Sequence, residues 1–187
     1  MNRRQTLQTM ALVSGHCALP LLAATPALAA LLRAGNCALV MRHAQTTAGI
    51  GDPPNFKLDQ CSTQRNLSDE GRAQAVRIGQ WFKTNQLQPR SVQTSPWCRC
   101  KDTAELAFGK YTELGALAST FDDNRVHQDT QTQALRTRLA VIPAGQFEVW
   151  VTHQVNISAL TGEPTSMGEA LIVNNQVRVL GRMALAA

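Results

Sequence analysis

The chain has 187 residues, 44% of them hydrophobic, and a formal net charge of +5. This length suits one domain with a single core and leaves no room for a second catalytic domain. The mildly basic charge fits an anionic small substrate, whereas nucleic-acid binding needs clustered basic residues with aromatic platforms, and only five Lys or Arg residues lie beyond Lys110. We therefore predict no nucleic-acid partner.

The first 29 residues have the pattern of an export signal. Arg3 and Arg4 precede an apolar stretch, and Ala27-Leu28-Ala29 is a small-x-small cleavage pattern. Polar residues and a proline interrupt the apolar stretch, so it is a poor fit to the about 20 uninterrupted apolar residues of a membrane span. We predict cleavage at this point, a domain over residues 30–187 and a periplasmic or secreted location. The arginine pair leaves twin-arginine export open beside ordinary secretion.

The next segment, residues 37–42, is a continuous apolar run, which is typical of a strand buried on both faces of a sheet. Residues 45–65 follow with glycines, prolines and little periodicity, so we predict a long loop over the end of this strand. Ser68 then predicts the start of a helix, because Asp69 and Glu70 lie where carboxylates interact favourably with the helix dipole.

A short strand is predicted over residues 91–95 and is followed by a second helix. Ser95 is the expected cap of this helix and Pro96 its first residue, since the missing N–H of proline is not needed there. The helix is expected to end at Gly109. Residues 111–125 show little pattern, and we assign them to a loop.

The last part of the chain predicts a helix over residues 130–142, a third strand over 147–152, a short helix over 156–160 and a hairpin that turns at Asn174-Asn175. Strands that alternate with helices imply a three-layer α/β sandwich, with a mostly parallel central sheet and helices on both faces. The first strand is expected to be central. Ligands of such sheets bind at the carboxyl ends of the strands.

Four cysteines follow the predicted cleavage point: Cys37, Cys61, Cys98 and Cys100. An even number of cysteines in an exported chain permits disulfides. Cys98 and Cys100 are too close on a predicted helix to pair readily with each other, so a bridge is expected to join either Cys61 or Cys37 to that helix. The alternative is that some of the four are buried thiols. Their spacing lacks the ligand pairs of a zinc site.

Arginine and histidine side chains follow the predicted strands at one end of the sheet. Arg42 and His43 end the first strand, Arg99 lies in the first turn of the helix after the second, and His153 ends the third. The two guanidinium groups can bind phosphate oxygens through forked hydrogen bonds, and a neutral His43 can attack phosphorus to form a phosphohistidine. His153 can stabilise the charge on the transferred phosphoryl group. This chemistry requires no metal and no cofactor.

Two further positions are candidates for roles in the same site. The leaving alkoxide needs a proton, and Asp122, with Asp123 as the close alternative, is the nearest candidate for a positioned carboxylic acid. Thr46 can donate its hydroxyl to a substrate, although a loop-capping role is equally compatible with its position.

These motifs resemble the histidine phosphatase superfamily, also called phosphoglycerate mutase-like, in its small phosphatase branch. Arg42-His43-Ala44 is similar to the family's Arg-His-Gly signature, Arg99 lies in a match to its Ser-x-x-x-Arg-x-x-x-Thr-Ala segment, and His153 matches its strand-end Thr-His. The resemblance implies a phosphoglycerate mutase-like fold, metal-independent phosphatase activity, and catalytic roles for the two arginines and two histidines.

The sequence departs from the family pattern at two places. Ala44 replaces a glycine, and the family's glutamate in a Trp-Glu-Gly type segment is absent. Some small members that hydrolyse phosphohistidine lack an acid altogether. In its export signal and its short length, the chain resembles envelope phosphatases proposed to act on sugar phosphates of the lipopolysaccharide core.

We predict a metal-independent phosphomonoesterase that acts on a phosphorylated small molecule or sugar of the envelope or periplasm. The alternatives are a phosphohistidine phosphatase, an anion-binding module that kept the pocket but lost the acid, and a mutase. A mutase usually encloses its substrate with larger insertions than this chain provides. Nothing in the sequence predicts an oligomeric state.

Overall fold

The computed structural model describes residues 24–121 and 125–184. The strands are β1 (Cys37–Arg42), β2 (Ser91–Thr94), β3 (Thr112–Glu113), β4 (Phe147–Thr152), β5 (Ala170–Asn174) and β6 (Val179–Met183). The helices are α1 (Ala24–Ala34), α2 (Asp69–Thr84), α3 (Cys98–Phe108), α4 (Arg125–Ala140) and α5 (Gln154–Thr161). The strands form one sheet in the order β3-β2-β4-β1-β5-β6. The first four strands of this order run parallel to one another, β5 pairs antiparallel with β1, and β6 pairs antiparallel with β5.

Strands β1 and β4 form the centre of the sheet because their apolar side chains can be buried on both faces. Every residue of β4 is buried, and so is every residue of β1 except the half-buried Arg42. The two strands pair in parallel register, so Arg42 lies opposite Thr152 at their shared carboxyl end. The predicted strands over residues 37–42 and 147–152, and the central position of the first, are confirmed.

Alternate side chains of the central strands build one hydrophobic core on each face of the sheet. Leu39 and Met41 pack on one face in a core that includes residues of α1, α2 and α3. Val40 and Trp150 pack on the other face with residues of α4 and α5. Burial of each such large side chain contributes about 1.5–3 kcal/mol. Helices therefore cover both faces, and the predicted α/β sandwich with a mostly parallel sheet is confirmed.

Three helices begin at positions that differ from the prediction, among them α5, which begins at Gln154, two residues before the expected start. Helix α3 begins at Cys98 rather than at Pro96, because the Ser95 N–H still pairs with Val151 O in the sheet and the Ser95 hydroxyl contacts His153 instead of capping the helix. Helix α4 begins at Arg125, five residues earlier than expected. Its first turn is exposed, so no apolar periodicity marks it in the sequence.

The segment predicted to be a loop, residues 111–125, contains the short edge strand β3 and a 3-10 turn at Gly115–Leu117. Both residues of β3 are exposed, which explains why no hydrophobic alternation is visible there. The predicted terminal hairpin is confirmed as β5 and β6, and Gly162 ends α5.

Helix α1 crosses the predicted cleavage point. Ala29 and Leu32 are buried in the core on the α2 and α3 face. The export signal itself lies mostly in residues 1–23, outside the described residues, and it stays a prediction. In the described part of the chain, no helix is both long enough and apolar enough to cross a bilayer.

A disulfide joins Cys61, in the long loop after β1, to Cys98 at the start of α3. This is one of the two bridges that the sequence left open. Cys37 and Cys100 are buried free thiols, which agrees with the alternative that some of the four cysteines are not bridged. The bridge fixes the loop beside the helix turn that carries Arg99.

Reduction of the Cys61–Cys98 bridge is expected to lower the free energy of unfolding by roughly 3–4 kcal/mol, because it releases a long closed loop in the unfolded chain. The two cysteines are 37 residues apart. Urea unfolding with and without reductant measures the effect. The double variant Cys61→Ser/Cys98→Ser is the control: its urea midpoint should match that of the reduced wild type and should not respond to reductant. A wild-type midpoint unchanged by reductant contradicts the prediction.

The chain after β1 is held close to α2. The Ser68 hydroxyl accepts from the Gly71 N–H and caps the helix, as predicted, while the Ser68 N–H donates to Gln45 O. A Cβ atom on Gly71 would collide with the carbonyl oxygen of Gln45, so glycine is required for this approach. The contact positions the backbone that leaves the end of β1.

Candidate active site

The carboxyl ends of β1 and β4 bring Arg42, His43 and His153 to one edge of the sheet. Arg99 joins them from the first turn of α3, which follows the neighbouring strand β2. All four predicted residues line one cavity of about 570 Å³. The other residues that line this cavity include Asp52, Arg65, Ile50, Trp97 and Phe121.

His43 is buried, and its hydrogen bonding defines its tautomer. Its Nδ1 lies 2.8 Å from Ala44 O. A carbonyl oxygen only accepts, so Nδ1 carries the proton and Nε2 keeps its lone pair. Burial lowers the pKa of His43 to about 3. The hydrogen bond to Ala44 O raises the pKa, but the positive charges of Arg99 and Arg42 lower it further. His43 is therefore a neutral imidazole at neutral pH, which is the nucleophilic form.

The imidazole of His43 is expected to remain neutral from pH 8 down to pH 5. With a pKa lowered to about 3, protonation begins only well below the ordinary value of 6.5. Two-dimensional NMR of the ring nitrogens measures this, with the resonances assigned by comparison with His43→Asn. The expected spectrum is that of the Nδ1–H tautomer throughout the range. A titration with a midpoint near the ordinary value of 6.5 contradicts the burial that the structure shows.

His153 is held in the opposite tautomer. Its Nδ1 lies 3.4 Å from Nη2 of Arg99, which only donates, so Nδ1 accepts. The proton then lies on Nε2, which is 2.8 Å from the Ser95 hydroxyl oxygen. Burial lowers the pKa of His153 well below its ordinary value, and the nearby positive charges add to this shift. The rings of His43 and His153 pack edge to face, with centroids 5.5 Å apart and an angle of 65° between their planes.

The two arginines carry N–H groups that no described residue accepts. Nη1 of Arg42 donates to Gln154 Oε1 at 2.7 Å and to Thr165 O at 2.8 Å. The Nε atoms of Arg42 and Arg99 are buried and have no hydrogen-bond partner within the described part of the chain. Buried donors without a partner are unfavourable unless a ligand accepts from them, so this arrangement is suited to an oxyanion.

Ala44, which stands where the family has glycine, adds no group to the cavity. It is fully buried in a cluster with Leu67 and Ala75. Its N–H donates to the Thr103 hydroxyl, which in turn donates to Arg99 O. The two chain segments that carry His43 and Arg99 are thus linked through one threonine side chain.

Sequence reasoning missed two charged residues of the cavity. Asp52 accepts from Nη1 of Arg99 at 2.8 Å, and Arg65 lines the cavity with its Nη1 donating to Gly49 O. Both lie in the long loop after β1, for which only a position over the end of the strand was predicted. The glycines and prolines near Asp52 indicate a loop, but no pattern in the sequence indicates that Asp52 contacts Arg99.

The other predicted site residues, Thr46, Asp122 and Asp123, are not among the described residues that line the cavity. The hydroxyl of Thr46 donates to Sδ of Met167, which does line it. Asp122 and Asp123 lie outside the described residues. Their neighbour Phe121 lines the cavity. Within the described ranges, no group of three His, Cys, Asp or Glu residues is arranged to hold a metal ion.

Solved structures show where this fold occurs. SixA from Agrobacterium tumefaciens is 17% identical with a TM-score of 0.56, and the match covers 80% of this chain and 98% of that one. Protein histidine phosphatase SixA complexed with tungstate is 14% identical with a TM-score of 0.57, covering 79% and 96%. A phosphoglycerate mutase from Thermus thermophilus is 20% identical with a TM-score of 0.56, covering 80% and 99%. At these identities the likeness is one of fold.

Sequence comparison finds a family whose pattern matches part of the chain. No curated protein sequence matches the chain. The pattern of the histidine phosphatase superfamily (branch 1) matches residues 38–117, a segment that contains Arg42, His43 and Arg99. The fold brings His153, from outside that segment, into the same cavity. Over this segment, the chain is similar to the histidine phosphatase superfamily.

Proposed function

We propose that this protein is a metal-independent phosphomonoesterase that works through a phosphohistidine on His43. The observation that carries the proposal is the state of His43: a buried, neutral imidazole whose Nδ1 proton is held by Ala44 O, in a cavity shared with two arginines. Nε2 attacks phosphorus, the bond from phosphorus to the ester oxygen breaks, and the alcohol leaves with a proton. Water then attacks the phosphorus atom of the phosphohistidine, the phosphorus–nitrogen bond breaks with its electron pair returning to Nε2 of His43, and inorganic phosphate leaves.

Arg42 and Arg99 supply the donors for the phosphoryl oxygens. Their unpartnered Nε–H groups can donate to an oxyanion without breaking an existing hydrogen bond. His153 contributes after substrate binding: the charge of the bound dianion favours uptake of a proton from solvent at Nδ1, and this nitrogen then donates a hydrogen bond to the phosphoryl group. Charge stabilisation of this kind is the main requirement of phosphoryl transfer.

The proton for the leaving group is assigned to Asp122, with Asp123 as the close alternative. Phe121, which lines the cavity, directly precedes this pair. Asp52 is a poor donor. Burial raises its pKa, but hydrogen bonds from the Arg65 N–H, Arg99 and Trp97 outweigh burial and keep the pKa below its ordinary value. Asp52 is therefore ionised at neutral pH.

The substrate is proposed to be a phosphorylated small molecule or sugar of the envelope or periplasm. A cavity of about 570 Å³ is much larger than a phosphate group and falls in the range of small-molecule sites. Apolar and aromatic side chains line it beside the charged groups, and Ile50 and Phe121 are exposed. The export pattern of the first 29 residues supports the location.

A phosphohistidine phosphatase is the second candidate. The likeness to SixA favours it, and so does the absence of a carboxylic acid other than the ionised Asp52 among the described residues that line the cavity. The leaving imidazole of a phosphohistidine needs less help from an acid than an alkoxide does. Under this candidate, the substrate is a protein side chain, and the cavity needs only to admit its phosphorylated tip.

Turnover of three substrates by the full-length protein separates these functions. We expect chelator-insensitive hydrolysis of p-nitrophenyl phosphate and of an alkyl phosphate, with the alkyl ester slowed in Asp122→Asn or Asp123→Asn. Hydrolysis of a phosphohistidine peptide with no turnover of the alkyl phosphate selects the second candidate. Phosphate binding without turnover of any of the three substrates contradicts both and selects an anion-binding module.

A further inference from the structure

Asp52 is an ionised carboxylate inside a cavity built for an anion. Only 8% of its side chain is exposed. Its Oδ1 accepts from the Arg65 N–H at 2.9 Å and its Oδ2 accepts from Trp97 Nε1 at 3.1 Å. Both oxygens also accept from Nη1 of Arg99, at 2.8 and 3.0 Å. A carboxylate in this place repels a phosphate, so its presence requires a compensating role.

The contact with Asp52 occupies one end of the Arg99 guanidinium and leaves one edge without it. Asp52 engages Nη1 alone, and Nη2 lies near His153. The opposite edge of the guanidinium carries the Nε–H and Nη2–H donors in parallel, and Nε has no partner in the described part of the chain. This edge is one of the forks with which arginine binds two oxygens of a phosphate.

We propose that Asp52 is a positioning residue, which holds Arg99 by Nη1 so that the Nε and Nη2 edge is presented to the phosphoryl group. The inference rests on the proposed function of the site. Asp52 touches neither the reacting atoms nor the leaving group in this role, and it acts only through Arg99.

The loop that carries Asp52 is anchored at further points beside α3. The disulfide joins Cys61 to Cys98, and the Gln64 side-chain oxygen accepts from the Cys98 N–H at 2.9 Å. These anchors lie one residue from Arg99 along the chain. They fix the loop independently of Asp52, so removal of the carboxylate alone is expected to leave the loop in place.

The test compares Asp52→Asn in two backgrounds. In the wild-type background, we expect kcat/KM for p-nitrophenyl phosphate to fall about 10- to 100-fold, because misorientation of a phosphate-binding group by about 1 Å has effects of this size. Inhibition by inorganic phosphate should weaken by about tenfold, which a proton-donating role would not produce. In the Arg99→Lys background, lysine keeps the charge but has no fork to position, so Asp52→Asn should change kcat/KM by less than about threefold.

Three outcomes overturn the inference. Tighter inhibition by phosphate in Asp52→Asn means that the carboxylate acts only as a repulsive charge. An equal loss in both backgrounds means that it does not act through Arg99. A loss of kcat/KM accompanied by a lower melting temperature and no change in phosphate inhibition means a purely structural role.

A matched control is Glu70→Gln, which removes an exposed carboxylate paired with Arg77 and is expected to change neither rate nor inhibition. In every case, His43-dependent turnover by the wild type still supports the proposed function, so the two proposals fail separately.

Discussion

Replacement of His43 by alanine is expected to reduce kcat/KM for p-nitrophenyl phosphate by at least about 10⁴-fold, because the variant has no nucleophile and keeps only the phosphate-binding groups. The buried imidazole forms the phosphorus–nitrogen bond in the proposed mechanism, and no other described side chain of the cavity offers an unprotonated nitrogen in the same position. Steady-state kinetics at saturating and limiting substrate measures the loss.

A second variant separates chemistry from folding. His43→Asn keeps a donor for Ala44 O and fills most of the buried volume, so its melting temperature should stay close to that of the wild type. Its activity should nevertheless be as low as that of His43→Ala. Substantial turnover by a correctly folded His43→Asn protein contradicts the assignment of the nucleophile.

Replacement of Arg42 by glutamine is expected to lower kcat/KM by about 10²–10³-fold, the range found when one charge-stabilising donor is removed from an active site. Arg42 is held by Gln154 and by Thr165 O, so its free donors are already oriented before substrate binds. Glutamine supplies neither the charge nor the fork. Inhibition by inorganic phosphate should weaken in parallel, since the same donors bind the product.

Two comparisons sharpen the Arg42 prediction. Arg42→Lys should recover only part of the loss, because lysine restores charge without a bidentate edge. Arg77→Gln, which removes an exposed guanidinium paired with Glu70, should leave activity unchanged. If Arg42→Gln loses less than about threefold, the guanidinium is not a phosphoryl ligand.

The parts of the site that the sequence predicted are those encoded by local pattern. Arg42 and His43 directly follow an apolar run, and His153 follows another, so the carboxyl ends of two buried strands could be located without knowledge of the fold. Parallel pairing of these strands then brings the side chains together. Arg99 was found because its helix follows the strand that was predicted over residues 91–95.

The parts that were missed depend on the path of an irregular loop. Asp52 and Arg99 are 47 residues apart and meet because the loop after β1 folds back over the edge of the sheet. No periodicity specifies such a path. Ser95 illustrates the same limit, since its sequence position fits a helix cap, whereas its hydroxyl is engaged by a histidine from a neighbouring strand.

The central claim is that the phosphoryl group is transferred to His43, and trapping of the phosphoenzyme tests it most directly. The full-length protein is mixed with a radiolabelled phosphomonoester, quenched in alkali and digested. The account predicts label on the peptide that contains His43, stable in alkali and lost in mild acid, and no label in His43→Asn. Turnover with no labelled protein at any quench time, or label on a residue other than His43, would contradict the account.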